Sequence, residues 1–285
     1  MRLRLAIILL IVLFANPLLA QNLTGTLRKI NETGTIIIGY RVSQPPMSFR
    51  DKNGQPTGYS IDICKDIVAG VEKKVGKSIK VKYVPVNAEQ RFKALDENRI
   101  DILCGSTTKT LSRSELVDFT QLTFVTGASL MTLEGNTTLD TRGFDGTKIG
   151  VVRATTTEKV LKDLIRETGT DARIVLFDST KEGTDALRQK KIDAFSADQV
   201  VLIGIASEEQ QPRTLVIKPH VFSFEPFALA VRRNDADFRL VADRVLSELN
   251  RSKKIYDIYD KWIGTYTQQR LPIFDAMIQL NATPE

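Results

Sequence analysis

From residue 35 onward, short β-branched runs alternate with stretches whose apolar residues recur at helical spacing. TIIIGY (35–40), IKVKYVPV (79–86) and RIDIL (99–103) read as strands. Between the first two, YSIDICKDIVAGVEKKVG (59–76) places apolar residues at 61, 63, 64, 67, 68, 71 and 75 and stops on Gly76, the pattern of an amphipathic helix. AEQRFKALDEN (88–98) supplies a second helix. The same order then returns: KIGVV (148–152) as a strand, TTTEKVLKDLIRETG as a capped helix ending at Gly169, ARIVLF (172–177) as a strand, KEGTDALRQKK (181–191) as a helix and IDAFSA (192–197) as a strand. Alternation of this kind predicts an α/β fold built from βαβ units.

The two halves share a local signature. Ala94-Leu95 followed by Ile100-Asp101 matches Ala186-Leu187 followed by Ile192-Asp193 at the same spacing. Helices that run into buried strands often read this way, but with the matching order of elements the pattern predicts two similar lobes. Two long β-like runs, TFVTGASLMTL (123–133) and SFEPFALAVRR (223–233), bracket the second half, and a helical stretch, VADRVLSELNRSKKIYDIYDKWIG, follows. The chain is therefore expected to leave lobe 1 through the first run and return through the second. This puts residues 21–127 and 229–285 in lobe 1 and 128–228 in lobe 2, with a two-strand hinge and a ligand-sized cleft between them. The tail IFDAMIQLNATPE is expected to lie on the surface.

The N-terminus changes the compartment. Arg2 and Arg4 precede an apolar run from Leu5 to Phe14 and small residues up to Ala20, the layout of a cleaved secretory signal peptide over residues 1–20. The run is short of the ~20 residues that span a bilayer, and Asn16-Pro17 interrupts it. The exported remainder is expected to be soluble, and its length suits two lobes better than one core. Lys and Arg number 40 against 34 Asp and Glu. The signs are mixed along the chain, with no basic block or aromatic-basic interleaving, so no nucleic-acid partner is expected.

Cys64 and Cys104 are the two cysteines of this exported chain, which favours a disulfide over two separate buried thiols. Two thiols and the single His220 are too few for a metal centre, and no metal or other cofactor is expected. An isolated histidine also leaves little for a catalytic triad.

Binding sites of open α/β sheets lie beyond the carboxyl ends of the strands. There lobe 1 offers Gly105, Ser106, Thr107 and Thr108, with Arg113 opening the next helix. Lobe 2 offers Thr155, Thr156 and Thr157 at a helix N-terminus whose first turn includes Glu158, and Asp198 after a strand. Hydroxyls and free N–H groups at a helix N-terminus favour an anion, and an arginine adds a bidentate clamp for a carboxylate. Asp198 accepts only and suits an ammonium. Simple helix capping by the threonines and by Asp198 is the competing reading. One cleft with both kinds of group describes an α-amino acid.

These residues carry a family resemblance. IIIGYRVSQPPMSFRDKNGQPTGYSIDIC, NAEQRFKALDENRIDILCGSTTKTLSRSELVDFT, IGVVRATTTEKVL, IDAFSADQVVL and YDKWI make the sequence similar, over essentially the whole mature chain, to family 3 periplasmic solute-binding proteins of polar amino-acid ABC transporters. CGSTT followed by an Arg and then DFT resembles the glutamate/aspartate-binding subgroup in particular. The resemblance implies the two-lobed type II periplasmic-binding-protein fold and a role as the periplasmic receptor of a membrane permease. It implies that Arg113, Thr108 and Thr156 hold the ligand's α-carboxylate, and that Ser106 and Asp198 take its ammonium. Arg41 and Arg91 match the two arginines that such members use for the side-chain carboxylate. Taken by themselves, each would be read as a solvated surface charge. The sequence departs from the pattern at Ala88, where relatives have a hydroxyl, and at Thr180, in the loop where they place a histidine. Both positions would touch the distal carboxylate, which leaves glutamate against aspartate open. The receptor is expected to act as a monomer.

Two other readings compete. An enzyme on the same fold, such as a dehydratase of cyclic acids, needs an acid or base in the cleft, and Glu182 and Glu225 are the nearest candidates, neither within a motif. A sensor module would continue into a membrane span and signalling domains, and the chain stops at Glu285, which leaves a soluble sensing partner.

Overall fold

A computed structural model describes residues 23–136, 139, 143–208, 214–266 and 270–284; the expected signal peptide lies outside these residues. The alternating pattern folds into two five-stranded mixed sheets, each the centre of a lobe. The first contains β1 (Thr35–Tyr40), β5 (Lys80–Pro85), β6 (Ile102–Cys104), β7 (Val117–Thr126) and β13 (Glu225–Arg232), in the order β5-β1-β6-β13-β7. The second contains β8 (Ala128–Leu133), β9 (Lys148–Val152), β10 (Arg173–Phe177), β11 (Ala194–Asp198) and β12 (Leu215–Ile217), in the order β10-β9-β11-β8-β12. In each sheet three neighbouring strands pair in parallel, and one strand, β13 in the first and β8 in the second, runs antiparallel to both of its neighbours. A small third sheet, β2 (Ser43–Gln44), β3 (Ser48–Arg50) and β4 (Pro56–Thr57), projects from lobe 1.

The repeated signature has a physical basis. In lobe 1 the Asp101 carboxylate accepts the Ile37 N–H at 2.9 Å, and the Asp101 N–H donates to the Ile37 carbonyl at 2.7 Å. In lobe 2 Asp193 does the same with Lys148, at 2.8 Å in both directions. Each aspartate thus anchors the start of the next strand to its neighbour. Gly39 and Gly150 form a second matched pair, because a Cβ on either would stand 2.4 or 2.5 Å from the Cδ1 of Ile100 or Ile192.

The long run 123–133 is broken at Gly127, between β7 and β8. A Cβ there would lie 2.4 Å from the Ser223 carbonyl on the returning segment, so the two crossings between lobes touch. β13 pairs with β7 from Glu225 opposite Thr126, so residues 225–228, expected in lobe 2, belong to the lobe 1 sheet, and Ser223 Oγ accepts the Ala128 N–H at 2.9 Å.

Ten helices cover the sheets among the described residues: α1 (Gly25–Thr33), α2 (Tyr59–Val75), α3 (Arg91–Asp96), α4 (Leu111–Ser114), α5 (Thr156–Thr168), α6 (Thr180–Arg188), α7 (Gln199–Ser207), α8 (Ala236–Arg251), α9 (Lys254–Tyr259), which runs into a π-turn at Asp260–Gly264, and α10 (Pro272–Asn281). None is long and apolar enough to cross a membrane. α3 starts later than the helical pattern at 88 because Asn87 Oδ1 accepts the Gln90 N–H at 2.8 Å and makes a turn of those residues. The tail differs from expectation. Instead of lying on the surface, α10 buries Phe274, Met277 and Ile278, and the Phe274 ring packs 4.6 Å from Tyr259 and 5.5 Å from Phe124.

Cys64, on α2, is bonded to Cys104 at the end of β6, a sequence separation of 40. A loop of this length contributes about 3–4 kcal/mol in the chain-entropy model. The bond also holds the segment that follows Cys104 against α2, where Ser60 Oγ donates to the Gly105 carbonyl at 3.2 Å.

Candidate functional site

The carboxyl ends of β1 and β6 face those of β9 and β11 across the junction of the lobes. Gly105 lets the Arg41 stem pass, since a Cβ there would meet Arg41 Cγ at 3.0 Å. Arg41, after β1, is 4% exposed, and Arg91, at the start of α3, is 2% exposed. The surface position that each arginine suggests by itself is therefore not the one it takes. The Phe92 ring lies under Arg91 at 4.7 Å and under Arg113 at 5.8 Å, an aromatic floor for two guanidinium groups.

The lobes meet over these residues. Thr108 Oγ1 and Thr156 Oγ1 are 3.2 Å apart, and Arg91 Nη2 donates to the Ala154 carbonyl at 3.4 Å. Glu225, 1% exposed, accepts from Thr108 Oγ1 at 2.5 Å and from Thr156 Oγ1 at 2.7 Å on one carboxylate oxygen, and from Ser223 Oγ at 2.7 Å on the other. Each threonine hydroxyl carries one proton. With both protons directed to Glu225, these hydroxyls present lone pairs to anything else in the cleft.

Thr155 is a helix cap. Its Oγ1 accepts the Glu158 N–H and donates to the Val152 carbonyl, while the Glu158 carboxylate accepts the Ala154 N–H in a capping box. Glu182 is used in the same way on α6, where it accepts the Asp178 N–H and Ser179 accepts the Glu182 N–H. Asp198 occupies the N-cap position of α7 but makes no capping hydrogen bond. Its Oδ1 is buried without a partner, as are Arg41 Nη1 and Arg91 Nε. Ser106 Oγ donates to Gln44 Oε1 at 2.7 Å. Thr180, at the start of α6, is buried and shares one recess with Asp198, Thr155, Thr157 and Gln44. Arg113 Nη1 donates to the Thr108 carbonyl at 2.9 Å. His220 is exposed. Gln44, Phe92 and the cross-lobe role of Glu225 are not visible in the sequence reading; Gln44 and Phe92 sit inside its family motifs, and no spacing marks them.

Burial sets the electrostatics. It lowers Arg41 to about 10, with Asp198 acting in the opposite sense, and it lowers Arg91 well below the ordinary arginine value, with Arg113 and Arg41 adding to the effect. Arg113 is lowered by burial too, against the pull of Glu225 and Asp198. The Asp198 carboxyl is pushed up to about 8 by burial first and by Glu225 second, against the three arginines. Five ionisable groups, three arginines and two carboxyls, thus meet in one largely buried space, with Arg41, Arg91 and Glu225 buried and Arg113 and Asp198 half-buried.

Two wider cavities adjoin it. One of about 190 Å³ opens at Arg41 between Pro85–Asn87 and Asp178–Ser179. Another, of about 600 Å³, lies at the mouth between the β2–β3 turn and helices α6 and α7; none of the unpartnered buried atoms belongs to its lining. We place the chemistry with the unpartnered charges and not with the larger volume.

A model of the bacterial extracellular solute-binding proteins, family 3, matches residues 36–265. The chain is 32% identical over 252 residues to the L-glutamate/L-aspartate-binding protein of Pseudomonas aeruginosa, covering 88% of this chain and 83% of that one. It superposes on the cysteine-binding protein from Campylobacter jejuni with a TM-score of 0.76 at 21% identity, covering 88% of this chain and 98% of that one, a likeness of fold. An ancestral arginine-binding protein bound to arginine gives a TM-score of 0.72 at 28% identity, over 81% of this chain and 99% of that one.

Proposed function

The chain belongs to the bacterial extracellular solute-binding proteins of family 3, and from this premise we propose that it is the periplasmic receptor of an ABC importer, closing its lobes on L-glutamate or L-aspartate. The observation that carries the ligand class is the charge count in the buried site. Once a ligand's ammonium displaces the Asp198 proton, Arg41, Arg91 and Arg113 stand against two carboxylates, Asp198 and Glu225, an excess of one positive charge. A net charge in a dry site costs several kcal/mol. An acidic amino acid, with two carboxylates and one ammonium, brings the total to zero; a neutral amino acid leaves it at plus one and a basic one raises it.

The unpartnered atoms support the same assignment. Asp198 Oδ1 accepts the ammonium, with Ser106 beside it. Arg113 and the N–H groups opening α5 take the α-carboxylate; Thr108 and Thr156, expected to hold it as well, give their protons to Glu225 and border it without donating. Arg41 Nη1 and Arg91 Nε take the distal carboxylate, over the Phe92 floor and beside Ala88 and Thr180. Charge-assisted hydrogen bonds contribute about 1.5–3 kcal/mol each, so a few of them supply the ~8 kcal/mol of a micromolar complex. The two carboxylates that the enzyme reading would use are engaged elsewhere: Glu182 accepts the Asp178 N–H at the start of α6, and Glu225 is wrapped in hydroxyls. The receptor is a monomer that delivers its cargo to a membrane permease after export by the signal peptide.

Thermal unfolding of refolded, ligand-stripped protein against the twenty L-amino acids, with D-aspartate and D-glutamate, tests this. At a thousandfold excess over Kd a ligand adds about 4 kcal/mol, a rise on the order of 10 °C for a chain of this size. A rise with L-glutamate or L-aspartate alone is expected. A rise confined to neutral or basic amino acids would refute the charge count.

A further inference from the structure

Glu225 is the first residue of the strand that returns to lobe 1, directly opposite Thr126 at the end of the strand that leaves it. Among the described residues no Lys or Arg lies within ion-pair distance of its carboxylate; hydroxyl groups hold it instead. Those hydroxyls come from different bodies. Thr108 is fixed to the same lobe as Glu225, because Lys109 N–H donates to the Pro226 carbonyl at 2.8 Å and Ala228 N–H to the Thr107 carbonyl at 3.0 Å. Ser223 ties the other carboxylate oxygen to the hinge itself, since its Oγ also accepts the Ala128 N–H. Thr156 belongs to lobe 2 and starts α5, a helix of 13 residues. Opening the cleft leaves the Thr108 and Ser223 bonds in place and breaks the Thr156 bonds.

We infer that Glu225 is a positioning residue that sets the closing equilibrium, its carboxylate drawing the N-terminus of α5 and the Thr156 hydroxyl onto lobe 1 before any ligand arrives. The pull has two sources. A carboxylate at a helix N-terminus meets the positive end of the helix dipole, and the arriving hydroxyl replaces a water on a charged acceptor that is about to be buried. In the ligand-free closed form the Asp198 carboxyl, pushed up to about 8 by burial first and by Glu225 second, holds its proton near pH 7 and does not oppose this pull. Because the threonine protons go to Glu225, the pull does not depend on which ligand occupies the cleft. Glu225 therefore tunes affinity for all ligands together, and selection is left to the arginines and Asp198. The proposal rests on a closing receptor but not on the identity of its cargo.

The test labels Lys93→Cys on α3 and Lys159→Cys on α5 with nitroxides, the native lysine side chains being 72% and 80% exposed. Pulsed dipolar spectroscopy then measures the distance between lobes in ligand-stripped protein. Glu225→Gln keeps the shape and removes the charge, and Thr156→Val removes the lobe 2 hydroxyl. Each is expected to lower the ligand-free closed-to-open ratio about tenfold, with an unchanged far-UV spectrum. In Glu225→Gln the Kd values for L-glutamate and L-glutamine should rise by the same factor. An unchanged or larger closed fraction in Glu225→Gln, or a parent protein with no ligand-free closed population, overturns the inference. So does a changed L-glutamate to L-glutamine ratio, which would mark Glu225 as a ligand contact. If the parent binds neither amino acid, the cargo assignment fails while the distance measurement still decides the role of Glu225.

Discussion

Gly204, in the middle of α7, faces the β2–β3 turn of lobe 1. A Cβ built there would lie 2.4 Å from the Pro45 carbonyl oxygen, 2.5 Å from its carbon and 2.6 Å from the Pro46 nitrogen. All three atoms are backbone, so no side chain can swing aside. Non-bonded heavy atoms settle at about 3.5–4.0 Å, and Gly204→Ala would force α7 back by roughly 1 Å. Overpacking of this kind costs about 1–3 kcal/mol. The contact exists only where the lobes meet, so the cost falls on the closed form alone. In the open form the same alanine favours the helix by about 0.5–1 kcal/mol. At 1.4 kcal/mol per tenfold, Kd should rise roughly 5- to 150-fold for every ligand. The ligand-free protein should melt no lower than the parent. Titration calorimetry with L-glutamate and a thermal melt without ligand measure the two halves of this prediction. A Kd within twofold of the parent would show that α7 and the β2–β3 turn do not approach this closely in the bound form.

Asp198 should make binding pH-dependent. Its carboxyl is raised to about 8, so between roughly pH 4 and pH 8 the folded, closed protein holds a proton that the unfolded chain has released, and raising the pH through that window disfavours the closed fold. An ammonium seated there reverses the preference. Calorimetry near pH 7 in buffers of different ionisation enthalpy should find close to one proton released on binding L-glutamate, and Asp198→Asn should release none and bind at least tenfold more weakly. Arg91→Ala should weaken L-glutamate and L-aspartate far more than L-glutamine and L-asparagine; an equal loss for all four would give Arg91 a general role instead of the distal carboxylate. Phe274→Ala should cost about 3–5 kcal/mol in denaturant-induced unfolding, and a loss under 1 kcal/mol would mean that α10 is not part of the core.

Much of the fold is written in local patterns. TIIIGY and KIGVV coincide with β1 and β9 from end to end, and Gly76 and Gly169 stop α2 and α5 in the left-handed conformation that glycine adopts freely. Periodicity and caps act over a few residues, so one chain is enough to show them. Where a distant group intervenes, the reading shifts. Asn87 shortens α3 through its own side chain, and the apolar positions of α10 become core only because Tyr259 and Phe124 stand against them.

The sequence by itself determined the order of elements, the two matched halves, the cysteine pair and the kinds of charged group gathered at the strand ends, because these follow from spacing along the chain. Tertiary structure decided how those groups are used. Thr155 caps a helix while Asp198, at an equivalent-looking position, caps nothing; Arg41 and Arg91 are buried; and Glu225, 117 positions from Thr108, accepts its proton. Burial, unpaired acceptors and the commitment of a single hydroxyl proton depend on which atoms the other lobe brings within 3 Å, and that is fixed only when the two lobes meet.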